Sequence, residues 1–371
     1  MTPEDYMLRA VALAQSVLTA TPNPRVGCVI VRDGKIVGEG FHRVAGEAHA
    51  EVNALIQAGD LSKGATAYVT LEPCAHTGRT PPCTSALISA GVKKVYYGSD
   101  DPNPQVAGKG VSALREAGIE VEGPLLAETC EALNRGFFKR MQQGLPWVRC
   151  KMAMSLDGRT AMASGESKWI TGAAARADVQ LMRAASCAVV TGVNTVLGDD
   201  PGLNVRVEQM NHAQAAEFAE RQPLRVVIDS GLRTPPDSRI ISVPGQALFL
   251  TGRAHVQQRA RFEGSGALVR EIPVLPGGRL DLQAAMQSLA KDDACNEIML
   301  EAGPTLSGAM VQAGLVDEVV IYVGARFLGS DALPLFHLPG IRRMQDHIAL
   351  ELTDVRQIAE DCRITARLKR V

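Results

Sequence analysis

The sequence predicts an α/β protein built from two unlike domains. Short apolar segments of strand length alternate with segments of helical spacing along most of the chain. At 371 residues the chain is long for one hydrophobic core and comfortable for two. Gly144-Leu145-Pro146 ends a predicted helix and stands directly before an apolar strand, and no internal repeat is evident. We therefore place the boundary here, with a first domain at 1–144 and a second at 145–371.

The first domain opens with a helix and then alternates strands and helices. Pro3-Glu4-Asp5 begins the first helix, and Asp33-Gly34 joins two apolar runs as a β-hairpin. A second helix extends from His49 to Ala58 and ends at Gly59, and a third begins at Cys83. The remaining predicted elements are strands at 65–71, 93–98 and 119–122 and helices at 109–117 and 125–143.

The second domain contains five apolar segments that predict strands, at 147–154, 187–191, 224–229, 247–250 and 297–301. The last one leads through a glycine into a predicted helix, in the run Gly303-Pro304-Thr305-Leu306-Ser307-Gly308-Ala309. Free backbone amides at such a helix N-terminus can bind phosphate or pyrophosphate, although strand–glycine–helix turns are common. No Gly-x-Gly-x-x-Gly follows a first strand, so an ordinary dinucleotide-binding Rossmann unit is not supported. The stretch 208–221 is interpreted as a surface insertion forming a solvated helix.

Composition restricts the class of partner and the compartment. The formal net charge is -1 and aromatic residues make up 4% of the chain, which disfavours a nucleic-acid binder with a basic face or stacking platform. No apolar run has the length of a membrane span, and no signal peptide is evident. Most of the eight cysteines stand singly among apolar residues. We therefore expect a cytoplasmic protein that contacts neither membrane nor nucleic acid.

The candidate catalytic residues are His49-Ala50-Glu51 together with Cys74 and Cys83. One histidine and two cysteines can hold zinc while leaving a fourth tetrahedral position for water, whose pKa the metal lowers. Glu51 would then carry protons to the leaving ammonia without binding the metal. This set of residues predicts a zinc-dependent nucleobase deaminase.

A closed structural zinc site is the alternative for the same residues, and it needs a fourth protein ligand. His76 is the obvious candidate for that ligand, and Cys28, in a predicted strand, is a poorer one. The cysteines are also separated by eight residues, where the common deaminase signature has two. The longer loop carries His76 and Arg79, which suit an anionic or strongly polar small substrate.

The longer cysteine spacing, with Thr21-Pro22-Asn23-Pro24 and Asp101-Pro102-Asn103-Pro104, resembles the bifunctional riboflavin-biosynthesis deaminase–reductase family. In the second half, 151–160, Trp169-Ile170-Thr171 and 301–308 are similar to the reductase part of that family. The resemblance implies a cytidine-deaminase-like α/β/α domain followed by a dihydrofolate-reductase-like α/β domain. It also implies zinc in the first, NADPH in the second and a phosphoribosylated pyrimidine as the small-molecule substrate.

The resemblance further implies residues for each site. The deaminase substrate would contact Asn23, His42, His76, Arg79, Asp101 and Asn103, although such polar loop residues can also serve as turn formers. NADPH would be lined by Ala153, Trp169, Thr195, Asp199, Ser230 and the turn Gly303, Pro304, Thr305, Leu306, Ser307, Gly308 and Ala309. The reductase substrate would be held by Ser167, Arg183, Leu203, Arg206 and Glu301, and Lys151 and Asp199 would help to polarise the sugar carbonyl or orient groups around it. Taken singly, Arg183 could be a solvated helix residue and Trp169 a core residue.

Two rival functions stay open at this point. One is a deaminase acting on tRNA or another nucleic acid, and the other is a non-catalytic, zinc-stabilised binding module. A salt-dependent gel shift would favour the first, and four protein ligands to zinc would favour the second. The sequence leaves the oligomeric state undetermined, and a homo-oligomer is compatible with it.

Overall fold

The computed structural model describes residues 1–77, 80–104, 106–167 and 170–369. Two compact units make up the chain, Met1–Leu145 and Pro146–Val371. Arg79 and Trp169, both expected to line a site, lie outside the described residues. In the part of the chain that the structure covers, every helix is too short or too polar to cross a lipid bilayer.

The N-terminal unit is a five-stranded sheet with helices on both faces. Its strands are β1 (Gly27–Arg32), β2 (Lys35–Phe41), β3 (Thr66–Val69), β4 (Lys94–Tyr97) and β5 (Glu120–Glu122). Its helices are α1 (Pro3–Gln15), α2 (Ala50–Ala58), α3 (Cys83–Ser89), α4 (Lys109–Glu116), α5 (Ala127–Ala132) and α6 (Arg135–Gln143), with a 3₁₀ turn at Gly59–Ser62.

The strand order is β2-β1-β3-β4-β5, with β1 antiparallel to β2 and β3 and the later pairs parallel. Successive β1 residues point to opposite faces: Cys28 and Ile30 join α2, α3 and α4 in one core, and Val29 and Val31 join α1 in another. Gly27 lets α1 approach closely, because a Cβ there would lie 2.0 Å from the Ala10 carbonyl oxygen. The expected α/β/α layering is confirmed.

The helix predicted over 125–143 is wrong in one respect, because it is two helices separated by Asn134. The Asn134 side chain accepts a hydrogen bond from the Arg25 backbone N–H at 2.7 Å and donates to the Arg25 carbonyl at 2.8 Å. These bonds satisfy the backbone of the segment before β1. A long-range contact of this kind leaves no periodic signal in the sequence, so the break could not be predicted.

The C-terminal unit has a larger sheet. Its strands are β6 (Trp147–Ser155), β7 (Arg159–Ala161), β8 (Ala188–Gly192), β9 (Leu224–Ile228), β10 (Ala247–Thr251), β11 (Leu268–Glu271), β12 (Glu297–Leu300), β13 (Glu318–Gly324), β14 (Leu333–Pro334), β15 (Leu350–Ile358) and β16 (Asp361–Leu368). Its helices are α7 (Ala173–Ala185), α8 (Val193–Asp199), α9 (Ala215–Glu220), α10 (Arg239–Ser242), α11 (Arg253–Val256), α12 (Leu282–Asp292) and α13 (Pro304–Gln312), with 3₁₀ turns at Val207–Gln209, Gln257–Phe262 and Met344–Asp346.

Nine of these strands form one sheet in the order β11-β10-β9-β8-β12-β6-β13-β16-β15. Strands from β11 to β13 run parallel, whereas β16 and β15 add an antiparallel edge. The chain starts at β6, adds strands outward from β8, and later returns to insert β12 between β8 and β6. Ligands of open α/β sheets bind at the carboxyl ends of strands near such a reversal. Glu301 follows β12 and Val193 follows β8 at this edge.

Candidate active sites

The predicted zinc ligands converge in the N-terminal unit. His49 Nδ1 lies 3.2 Å from Cys83 Sγ and 3.7 Å from Cys74 Sγ, and all three donor atoms lie within 4.8 Å of one another. Neither His76 nor Cys28 belongs to this group of donors, as far as the described residues show. One nitrogen and two sulfur donors are the set that zinc prefers, and three of them leave a tetrahedral position open.

Three local structures deliver these ligands. His49 is the residue just before α2, and Cys83 is the first residue of α3. Cys74 lies beyond the end of β3, and its sulfur accepts a hydrogen bond from the Cys83 backbone N–H at 3.4 Å. Thr80 Oγ1 lies 3.3 Å from the second ring nitrogen of His49, and such an outer contact orients a metal-binding imidazole. The prediction that both metal-binding segments begin helices is confirmed.

The contact between the Cys74 and Cys83 thiols shifts their pKa values in opposite directions. The pKa of Cys74 is lowered, first because the Cys83 thiol hydrogen-bonds to it, against the effect of burial, and also because His49 does so. The pKa of Cys83 is raised, chiefly by that same bond and by burial. A pair that already favours one thiolate beside an imidazole fits a divalent metal with soft ligands.

Glu51 follows His49 by two residues and is 4% exposed in the first turn of α2. Burial, and then the charge of Cys74, raise the pKa of Glu51. An acidic group is therefore enclosed directly beside the metal-binding donors.

His42 and Asn23 form a second layer around His49. The His42 ring lies edge-on to His49 at 5.0 Å between centroids and is 2% exposed. Its Nε2 lies 3.0 Å from Asn23 Nδ2 and its Nδ1 lies 3.1 Å from the Ala48 carbonyl oxygen. Burial lowers the pKa of His42, which favours the neutral ring. With both nitrogens engaged, His42 is arranged to hold Asn23 in place.

Asp101 and Asn103 lie on the loop after β4, and Asp101 accepts a hydrogen bond from the Asn103 backbone N–H at 2.8 Å. Burial raises the pKa of Asp101 to about 6. His76 lies in the loop after Cys74, and its buried Nδ1 has no hydrogen-bond partner among the described residues.

Glu72 is a residue of this site that the sequence analysis missed. It is 3% exposed and stands two positions before Cys74. The only signal available was an acidic residue beside the Pro73-Cys74 pair, and an acidic residue next to a loop is usually solvated.

A second polar cluster lies at the carboxyl end of β12 in the C-terminal unit. Arg183 and Glu301 form a bidentate ion pair with distances of 2.6 and 2.9 Å, and Arg183 also donates to the Asn204 carbonyl at 3.1 Å. Arg183 is 7% exposed, so the alternative of a solvated helix residue is wrong. Burial lowers the pKa of Lys151, which the charges of Glu301 and Arg183 also influence. Arg206 interacts with the same pair, and its buried Nε has no described partner.

Lys151, Arg183 and Arg206 surround the Glu301 carboxylate, and Arg206 also interacts with Glu208 and Arg239. The guanidinium of Arg206, with an unused N–H, is a suitable group to bind an anionic ligand. Glu301 stays ionised, because Arg183 lowers its pKa against the effect of burial.

The turn after Glu301 is built as the sequence predicts. Gly303 is the N-cap residue and Pro304 the first residue of α13, and no side chain caps the free amides of that helix. A Cβ at Gly303 would lie 4.0 Å from Thr195 Oγ1, so this turn faces α8. Uncapped amides facing a hydroxyl suit the pyrophosphate of a dinucleotide.

The other predicted reductase residues occupy several elements around the same sheet. Ala153 lies in β6, Asp199 ends α8, and Ser230 follows β9. Leu203 is buried with a positive φ of 52°, and Ser167 is half-buried in the segment before α7. The stretch 208–221 contains α9 and is mostly exposed, as a surface insertion would be.

The two units together define a class of protein: a zinc-dependent deaminase of the cytidine-deaminase type joined to a dihydrofolate-reductase-like, NADPH-binding reductase. Residues 1–99 match the family of the cytidine and deoxycytidylate deaminase zinc-binding region, and residues 146–364 match the RibD C-terminal domain family.

Relatives cover the whole chain. The riboflavin biosynthesis protein RibD of Escherichia coli strain K12 is 50% identical over 365 residues, spanning 97% of this chain and 98% of the relative. The protein of the same name from Haemophilus influenzae is 47% identical, spanning 97% and 96%. The structure of Acinetobacter baumannii RibD has a TM-score of 0.91 at 46% identity and covers 99% of both chains. A Thermotoga maritima diaminohydroxyphosphoribosylaminopyrimidine deaminase/5-amino-6-(5-phosphoribosylamino)uracil reductase has a TM-score of 0.81 at 30% identity, again covering 99% of both.

The chain belongs to the family of bifunctional riboflavin-biosynthesis deaminase–reductases. It is a zinc-dependent deaminase, a hydrolase, and an NADPH-dependent reductase, an oxidoreductase, in one polypeptide. The predicted family, fold class, function and cofactors are thereby confirmed. Neither rival function, a nucleic-acid deaminase or a non-catalytic zinc module, is favoured by these relatives.

Proposed function

We propose that this enzyme first hydrolyses the 2-amino group of 2,5-diamino-6-(5-phosphoribosylamino)pyrimidin-4-one, yielding 5-amino-6-(5-phosphoribosylamino)uracil and ammonia. It then reduces the ribosyl side chain to ribityl. The observation that carries the proposal is the His49–Cys74–Cys83 donor set with Glu51 enclosed beside it. The Thermotoga maritima relative, which covers 99% of the chain, is described by both reactions. We assign the deaminase to 1–144 and the reductase to 145–371.

In the deaminase, His49, Cys74 and Cys83 would hold zinc. When bound, zinc supplies Lewis acidity that lowers the pKa of a water molecule. The Glu51 carboxylate accepts a proton from the attacking water and returns it to the departing amino group. Enclosure of Glu51 keeps bulk water from competing for that proton.

The remaining deaminase residues would bind the substrate. Asn23, oriented by His42, and the Asp101–Asn103 pair present amide and carboxyl groups suited to the polar edge of a pyrimidine. His76 has an unused buried nitrogen for the same purpose. Arg79 suits the phosphate by its charge alone, since it lies outside the described residues.

In the reductase, Arg206 offers its unused Nε–H to the substrate phosphate, and Glu301 holds Arg183 beside it. Lys151 lies in this cluster and would polarise the sugar carbonyl. NADPH supplies the hydride when bound, and the protein contributes position and charge. We assign the substrate to Ser167, Arg183, Leu203, Arg206 and Glu301, and the cofactor to Ala153, Trp169, Thr195, Asp199, Ser230 and Gly303–Ala309.

We also propose that the protein works in the cytoplasm and on small molecules rather than nucleic acid. The formal net charge of -1 and the aromatic content of 4% support this assignment. Assembly into a homo-oligomer is compatible with it. Sedimentation of the protein alone measures its oligomeric state. Adding single-stranded RNA tests nucleic-acid binding, because bound RNA would increase the sedimentation coefficient at low salt.

The overall proposal is tested by supplying the diaminopyrimidine precursor with and without NADPH. Without NADPH, one equivalent of ammonia and the deaminated ribosyl product should accumulate. With NADPH, mass spectrometry should show the ribityl product, two hydrogens heavier. Ammonia release that requires NADPH, or reduction without deamination, would contradict the proposed order.

Cys74→Ser is expected to release zinc and abolish deamination, because a neutral hydroxyl replaces the thiolate that the site favours. Elemental analysis should fall from one zinc per chain to near zero, while reduction of the deaminated substrate continues. Cys130→Ser is the matched control, since this buried thiol lies outside the donor group and should leave zinc in place. Full zinc retention by Cys74→Ser would remove Cys74 from the ligand set.

A further inference from the structure

Glu72 has contacts that neither the deaminase chemistry nor the zinc site explains. Its Oε1 accepts hydrogen bonds from the Gly110 and Val111 backbone N–H groups at 2.9 and 3.2 Å. Its Oε2 accepts from the Gly108 N–H at 3.0 Å and lies 3.5 Å from the Asp101 nitrogen. A buried carboxylate is costly unless it is satisfied, and here four backbone donors surround it.

These bonds join two parts of the deaminase site. Glu72 precedes Cys74 by two residues, and a Cβ at Gly110 would lie 1.9 Å from the Pro73 carbonyl oxygen, so the start of α4 packs against the metal-binding segment. On its other side, the carboxylate faces the Asp101 nitrogen. The Asn103 carbonyl accepts hydrogen bonds from Val106 and Ala107, which connects that residue to the anchored Gly108.

We propose that Glu72 is a positioning residue of the deaminase, whose carboxylate sets the place of the Asp101–Pro104 loop relative to Cys74. The inference rests on the proposed role of Asp101 and Asn103 as substrate contacts. A cap of α4 accounts for the bonds to Gly110, Val111 and Gly108, which is the N-cap residue of that helix. The contact of the second oxygen with the Asp101 nitrogen is not needed by the helix, and it connects the carboxylate to the Asp101 loop.

Glu72→Gln is expected to break the connection that the carboxylate makes between α4 and the Asp101 loop. An amide has one acceptor oxygen, so it can serve either the Gly110 and Val111 N–H groups or those of Gly108 and Asp101, while its NH₂ repels the other pair. We expect the KM for the diaminopyrimidine to rise about tenfold, with kcat within about threefold of wild type. Zinc content should stay at one per chain. A drop in kcat at unchanged KM, or loss of zinc, would overturn the proposal.

Two further variants guard against a simple folding defect. Glu120→Gln changes an exposed carboxylate on β5 that pairs with Lys94, and it should leave the deaminase KM unchanged. Gly108→Ala disturbs the same anchor at the N-cap of α4, because Gly108 has a positive φ of 76° and open space for a Cβ. It should raise the KM in the same direction as Glu72→Gln. An unchanged KM in Gly108→Ala would count against the anchoring role even if Glu72→Gln were insoluble.

A double-mutant cycle distinguishes the positioning role of Glu72 from the proposed contact of Asp101 with the substrate. Asp101→Asn alone should raise the KM if Asp101 contacts substrate, and no change would refute that contact. If Glu72 acts through the Asp101 loop, adding Glu72→Gln to Asp101→Asn should raise the KM by much less than tenfold. Independent, multiplied effects of the two substitutions would refute the positioning role of Glu72 and leave the Asp101 contact intact.

Discussion

Glu51→Gln is expected to lower the kcat of deamination by about 10²- to 10⁴-fold while the protein keeps zinc and its fold. The substitution preserves the size of a side chain that is 4% exposed, so packing around α2 should change little. What it removes is the group that accepts and returns the proton. An amide cannot carry that proton at any pH, so raising or lowering the pH should not restore the rate.

Ammonia release measures this effect, and NADPH oxidation with the deaminated substrate reports the other activity of the same chain. Glu47→Gln is the matched control, because it removes a carboxylate that is exposed and pairs only loosely with Arg43 at 3.8 Å. That variant should deaminate at the normal rate. Wild-type turnover by Glu51→Gln, with one zinc per chain, would assign the proton transfer to another residue.

Glu301→Ala is expected to destabilise the C-terminal unit by about 3–5 kcal/mol and to abolish the reductase activity. Arg183 would lose its bidentate partner while remaining buried, and Lys151 and Arg206 would lose a neighbouring carboxylate. Removing one partner of a buried pair costs more than the pair itself contributes, because a charge is left without compensation. Deamination should continue in the same sample.

Chemical denaturation followed by tryptophan fluorescence measures this loss selectively. The two tryptophans of the chain, Trp147 and Trp169, both belong to the C-terminal unit. Glu271→Ala removes an exposed carboxylate from the same unit, at the end of β11, and should leave the transition within about 0.5 kcal/mol of wild type. If Glu301→Ala unfolded at the same denaturant concentration as this control, the ion pair would not stabilise the unit as described.

The deaminase centre could be predicted well because its signal is local. His49 and Glu51 are neighbours in the chain, and the thiols of Cys74 and Cys83 are reactive groups at a recognisable spacing beside Pro73. Helix starts at His49 and Cys83 follow from capping and periodicity, and the structure confirms them. The resemblance placed Arg183 and Glu301 in one site, but their ion pair could not be predicted, because 118 residues separate its members.

The difference between local signals and contacts of distant residues also explains which elements were predicted wrongly or missed. Asn134 breaks the last helix of the N-terminal unit because its amide bonds to Arg25, 109 residues away. Strands β13, β15 and β16 were not identified, and the antiparallel edge that β16 and β15 form depends on pairing between distant segments. Glu72 looked like an ordinary acidic residue until the fold closed four backbone N–H groups around it.

Residue chemistry and short-range periodicity were thus enough to infer two α/β domains and a metal-binding deaminase, whereas phosphate binding at the Gly303 turn stays a prediction. Both kinds of signal extend over only a few neighbouring residues, so they can be recognised in the sequence alone. Burial, the sharing of charge among Lys151, Arg183, Arg206 and Glu301, and the bonds of Glu72 arise only when remote segments meet. The energies of those contacts depend on the distances between the groups and on the exclusion of water, and both are fixed only when the chain folds.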